Sequence, residues 1–129
     1  MLQVGSVLKV IDNTGARTAA CIKVKPSYRS KFAFIKDIII VSIKSLRSKR
    51  KSAIKVKKGE IYHAIILRAK SKKRLFSGGY ICYNEPASIA LLNKQKKIFG
   101  TRIFGSLSKS FRYTNYLKVL SLCSGVHPD

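Results

Sequence analysis

The stretch KSLRSKRKSAIKVKKGE, Lys44 to Glu60, places eight Lys or Arg in seventeen positions against a single acid. Side chains of this type do one kind of chemistry well: they displace condensed counterions from phosphates, which gives strong binding without sequence reading. The same excess runs through the whole chain, where 27 basic and 5 acidic residues leave a formal net charge of +22. Such a charge repels itself in a compact state unless a polyanion neutralises it. Nucleic acid is favoured over a membrane. No apolar window reaches the length of a spanning helix, and the cations do not gather on one face of a long amphipathic helix.

Catalytic chemistry has little to work with. General acid–base catalysis wants paired carboxylates or a His with an orienting partner. The five acids each have a structural place: Asp12 in a turn, Asp37 and Glu60 at strand starts, Glu85 beside Pro86, and Asp129 last. His63 and His127 would be the acid–base pair of a small ribonuclease, the alternative class, but no motif supports either. They read as a structural and a terminal histidine. The glycines show neither GxxxxGK[ST] nor GxGxxG spacing. Cys21, Cys82 and Cys123 are odd in number and far apart, which argues against zinc and disulfides and for small buried apolar residues. No enzyme, cofactor or metal site is expected.

What must hold the cations in place is a folded core. At 129 residues and 46% hydrophobic, the chain is sized and composed for one domain, residues 1–129. SVLKVI puts Leu8 and Val10 opposite Lys9, and DNTG, Asp12 to Gly15, supplies turn chemistry. TAACIKV returns with Ala20, Ile22 and Val24 inward and Lys23 and Lys25 outward, and Pro26 ends it. DIIIVSIK is a strand with Ile39, Val41 and Ile43 on one side and Ile38 and Ile40 on the other. IYHAIILRAK is apolar on both parities from Ala64 to Leu67, as in a strand covered on both faces. SKKRLFSGG is a basic loop, and YICYN with ASIALLN supplies the last strand material. From Phe99 the pattern turns toward one or two short helices, with Leu107 and Phe111 at helical spacing, and an extended end packed over the sheet. The expectation is a mainly β fold, a small closed barrel over about 1–93 with a short helical segment over about 98–122.

The opening stretch lies between two strands, and Ile54 and Val56 alternate with Lys55 and Lys57. It therefore reads as a projecting basic β-ribbon or long hairpin loop, the bland alternative being a solvated loop. The candidate phosphate contacts are Arg17, Lys23, Lys44, Arg47, Lys49, Arg50, Lys51, Lys55, Lys57, Lys58, Lys70, Lys72, Lys73 and Arg74, all beside strands or in loops. Tyr28, Phe32, Phe34, Tyr80 and Tyr83 are interleaved. An exposed one would stack on an unpaired base, though most are assigned to the core or the barrel rim.

Three segments in order, IDNTGAR at Ile11 to Arg17, KKGEIYHAIILRAK at Lys57 to Lys70 and IFGTRIFG at Ile98 to Gly105, resemble the universal large-subunit ribosomal protein conventionally numbered fourteen. The resemblance runs from Met1 to about Leu122. It implies a five-stranded β-barrel with a projecting ribbon and short C-terminal helices. It also implies binding to large-subunit rRNA, neighbours among the large-subunit proteins numbered three and nineteen, and contact with small-subunit rRNA across the subunit interface. In bacterial and organellar members a silencing factor docks on that face, where Thr101, Arg102 and Lys118 would lie. The chain departs from the pattern in LRSKRKSAI, which is longer and more basic. Cys82, Asn84-Glu85 and Pro86 stand where an Arg, an Asp-Gly and an Asn are usual. A free RNA-binding or chaperone module is the other binding class. Fifteen Ile, nineteen Lys and no Trp fit an AT-rich coding sequence. With no presequence before the first strand, they point to an organelle-encoded mitochondrial protein, ahead of a plastid or bacterial one.

Overall fold

The computed structural model describes residues 2–25, 31–47 and 54–127. Five strands close into a barrel: β1 (Val7–Val10), β2 (Ala16–Val24), β3 (Ile38–Leu46), β4 (Ile61–Arg68) and β7 (Ser88–Leu92). Neighbours in the order β1-β2-β3-β4-β7 are antiparallel, and β7 returns parallel to β1 to close the ring. Closure removes the unpaired edges that a small open sheet would expose. A separate hairpin is formed by β5 (Lys73–Arg74) and β6 (Tyr80–Ile81). β8 (Ile103–Ser108) and β9 (Cys123–His127) pair in parallel, with a 3-10 turn at Lys109–Tyr113 and α1 (Lys118–Leu122) between them. Among the described residues no helix is long and apolar enough to cross a membrane.

There are two cores, and β4 belongs to both. Ala64 and Ile66 point into the barrel with Leu8, Val10, Ile39, Val41, Ile43 and Leu91. Ile65 and Leu67 point outward, where Leu92, Ile103, Leu107, Phe111 and Val119 cover them. The continuous apolar run thus has the cause expected of it, a second layer laid by the C-terminal segment. Fully burying each such aliphatic side chain is worth about 1.5–3 kcal/mol, so this layer is held on chiefly by its apolar face.

Several expectations need correction. On β2 the inward residues are Ala19, Cys21 and Val24, whereas Ala20 is half-buried and Ile22 is 43% exposed. A bulge between Cys21 and Lys23 changes the phase, leaving two consecutive residues outside. In its described part, 54–60, the return leg of the expected ribbon carries no strand. Instead Val56, 3% exposed, enters the barrel core, and Ile54 packs beside it. Lys55 N–H donates to Thr14 O at 2.9 Å, so this leg caps the barrel end at the DNTG turn, where Arg47 N–H, just past β3, donates to Gly15 O at 2.9 Å. Of the last strand material only Ser88–Leu92 joins the barrel. Leu107 is in a strand, and within 98–122 only Lys109–Tyr113 and Lys118–Leu122 are helical. Cys82 is exposed, unlike buried Cys21. Pro26 and Tyr28 lie outside the described residues.

Candidate nucleic-acid interface

The turn that ends β1 organises the surface above it. Asp12 is fully buried, and its carboxylate accepts from Thr14 N–H at 3.2 Å, from the Thr14 hydroxyl, and from Leu91 N–H of β7 at 2.8 Å. Burial pushes its pKa above the usual 3.8, and the bonds from Thr14 and Leu91 only partly counter that. Asn13 then clamps the next motif: its Nδ2 donates to Thr101 Oγ1 at 2.7 Å and its Oδ1 accepts from Thr101 N–H at 2.9 Å. A Cβ on Gly100 would lie 2.8 Å from Asn13 Oδ1, so the close approach needs glycine there. IDNTGAR and IFGTRIFG, 88 residues apart at Asn13 and Thr101, are therefore one structural unit.

On this unit the cations converge. Arg17 on β2, Lys9 on β1 and Arg47 at the end of β3 line a groove of about 550 Å³ floored by Val7, Leu8, Thr18 and Pro86. Arg47 is anchored: its Nη2 donates to Val10 O at 2.9 Å, and its guanidinium stands 5.5 Å from the centre of the Phe104 ring. Arg102 approaches the same ring at 6.0 Å. Such contacts are worth about 0.5–1 kcal/mol at an exposed site, enough to bias where each charge points. A second concavity of about 410 Å³ continues past Lys9 and Arg47 to Arg68, Glu85, Phe104 and Gly105. Arg68 Nη2 donates to Phe104 O at 3.4 Å and lies 3.8 Å from Glu85. Glu85 also accepts from Lys9 Nζ at 3.1 Å. That bond, then the Lys9 charge, holds the Glu85 carboxyl below its usual range. Glu85 thus offsets part of the charge at one end of the groove through an exposed pair with Lys9, which a phosphate can displace.

The other predicted contacts fall into separate places. Lys23 and Lys44 are exposed on β2 and β3, Lys55, Lys57 and Lys58 on the capping leg, and Lys70, Lys72 and Arg74 around the β5–β6 hairpin, with Lys73 half-buried. Lys49, Arg50 and Lys51 lie outside the described residues. Arg102 and Thr101 are exposed neighbours, and exposed Lys118 opens α1, a different element. Sequence reasoning missed Lys9, Arg68 and Phe104 as partners of Arg17 and Arg47. The outward phase of Lys9 on β1 was the one available signal. Of the described aromatics in that set, Phe32, Phe34 and Tyr80 are exposed and Tyr83 is half-buried, so none of these four is fully buried.

The two histidines have different surroundings. His63 lines a concavity with Ile40, Tyr62, Leu92 and Phe99. Burial, then the charges of Lys25 and Lys96, depress its pKa, so it is neutral near pH 7. His127 instead bonds Ser106 Oγ through Nε2 at 2.7 Å and lies 6.1 Å from the Tyr83 ring. No cluster of three or more His, Cys, Asp or Glu suited to a metal ion occurs among the described residues. The arrangement gathers guanidinium and ammonium groups on one side of a closed barrel, which suits phosphate positioning. A family model described as ribosomal protein L14p/L23e matches residues 1–127.

Proposed function

The chain belongs to the ribosomal protein L14p/L23e family, a structural, non-enzymatic component of the large ribosomal subunit, and from that premise we propose how it works there. It binds large-subunit rRNA through the groove of Lys9, Arg17 and Arg47, and this convergence of cations, with Arg47 anchored on Val10 O, is the observation that carries the reading. Lys23, Lys44, Lys55, Lys57, Lys58, Lys70, Lys72, Lys73 and Arg74 add phosphate contacts from the barrel side, the capping leg and the hairpin. The role is positioning: backbone contacts fix register and orientation and carry no sequence information themselves.

The face around Thr101, Arg102 and Lys118 meets the small subunit. Its chemistry supports this, since Arg102 is exposed and braced by Phe104 while Thr101 is tied down by Asn13. Large-subunit proteins three and nineteen are the expected protein neighbours, and a silencing factor would compete for the same face. The Ile- and Lys-rich composition favours a mitochondrial ribosome. Arg102→Ala is expected to enter large subunits normally and to lower subunit joining several-fold, measured as the fraction of joined particles at limiting magnesium. Normal joining would remove Arg102 from the interface. Failure to incorporate would make it an assembly residue instead.

A further inference from the structure

The β5–β6 hairpin carries one side chain for which neither core has a use. Phe76, at its turn, has a relative exposure of 104%, yet the turn beneath it is braced. Leu75 N–H donates to Gly79 O at 2.8 Å and Gly78 N–H to Leu75 O at 3.2 Å. Gly78 takes φ +90°, open to glycine without strain. The hairpin has two faces. On the inner one Lys73 pairs with half-buried Ile81 and donates Nζ to Ser110 Oγ at 3.4 Å, tying the hairpin to the C-terminal layer. On the outer one Arg74 pairs with Tyr80, itself 66% exposed. Lys70 and Lys72 stand exposed just before it.

A ring that buries nothing adds nothing to folding, and a turn can be made from Gly, Ser or Asn. An apolar protein pocket would have to desolvate the surrounding cations to take it. A nucleotide meets both features at once, because it offers a π face and a phosphate in one unit. We propose that Phe76 is a stacking contact for an unpaired base, with Lys72 and Arg74 holding the flanking phosphates and Tyr80 available as a second ring. The assignment rests on the RNA-binding reading above and names the kind of RNA structure that this hairpin selects.

The chain contains no Trp, so Phe76→Trp introduces a single indole reporter at the tip. The full-length variant is titrated with a short RNA stem-loop bearing unpaired purines and, separately, with a fully paired duplex of equal phosphate number. The indole emission is expected to be quenched by the stem-loop and not by the duplex at equal occupancy. Phe76→Ala and Phe76→Leu should each weaken stem-loop binding by roughly 5- to 100-fold, with duplex affinity and salt slope unchanged. Binding without selective quenching, or Leu behaving like Phe, would overturn the stacking assignment alone. A blue shift with phosphatidylcholine–phosphatidylserine vesicles but no response to RNA would make the tip a lipid contact. An unmodified protein that binds neither RNA would bring down the RNA-binding reading together with this one.

Discussion

Replacing Lys9, Arg17 and Arg47 together by Gln is expected to lower affinity for large-subunit rRNA about 10²-fold at 0.15 M salt, with the log–log salt slope falling by roughly 2–3. The magnitude follows from counterion release. Each phosphate neutralised contributes a slope of about 0.7–0.9, so three contacts contribute about two decades at that ionic strength. Charge total and charge position are separable by a control. Neutralising exposed Lys94, Lys96 and Lys97, in the turn after β7, removes the same three charges away from the groove. If position matters, that variant loses far less affinity. Equal losses would show that the barrel serves only as a carrier of charge. The groove variant should stay folded, because charges at or near the surface contribute little to stability; it gives up two bonds, from Lys9 to Glu85 and from Arg47 to Val10 O.

The second large effect is on stability. Asp12→Ala deprives the buried N–H groups of Thr14 and Leu91 of their acceptor. Each buried polar group left unsatisfied costs about 1–3 kcal/mol, so the loss should be roughly 2–5 kcal/mol. For a chain of this size that corresponds to a fall in Tm of about 10–20 °C, measured by calorimetry. Because Asp12 also positions the turn holding Asn13 and Gly15, the Thr101 clamp and the start of the capping leg should loosen together. The pH dependence has a definite sign. A carboxyl raised above 3.8 by burial contributes stability that is full below that pH and is lost as pH rises through the folded value. In Asp12→Asn this component should vanish, so the native protein loses stability relative to the variant as pH climbs through that window. A variant as stable as the parent would mean that the carboxylate is dispensable to the barrel.

The barrel was legible where alternation was undisturbed: Leu8 and Val10, then Ile39, Val41 and Ile43, and the doubly apolar Ala64 to Leu67 all face as their pattern predicts. Misreadings arose where one local event changes phase or where pairing is remote. The bulge near Ile22 leaves no mark in composition, and a single inserted residue moves every following side chain to the other face. Val56 looked like one leg of a ribbon because its alternation with lysines is that of a strand; the barrel end it fills exists only once the sheet closes. The pairing of β8 with β9 is parallel between segments rich in Ser and Gly, and neither signals a strand alone. The candidate site divides in the same way. Arg17 and Arg47 were visible as charge beside strands. Lys9, Arg68 and Phe104 join them through closure of β1 on β7 and through Phe104 N–H donating to Ile11 O at 2.9 Å.

A positive shell on so small a barrel makes physical sense only with phosphate constantly beside it. The most direct measurement is sedimentation of a lysate from the cells that make the protein, through a sucrose gradient at moderate salt, with the chain followed by antibody. The protein should travel with the large subunit in one-to-one stoichiometry and leave it only when salt is high enough to strip rRNA-bound proteins. Recovery solely at the top of the gradient, free of rRNA, would contradict the account.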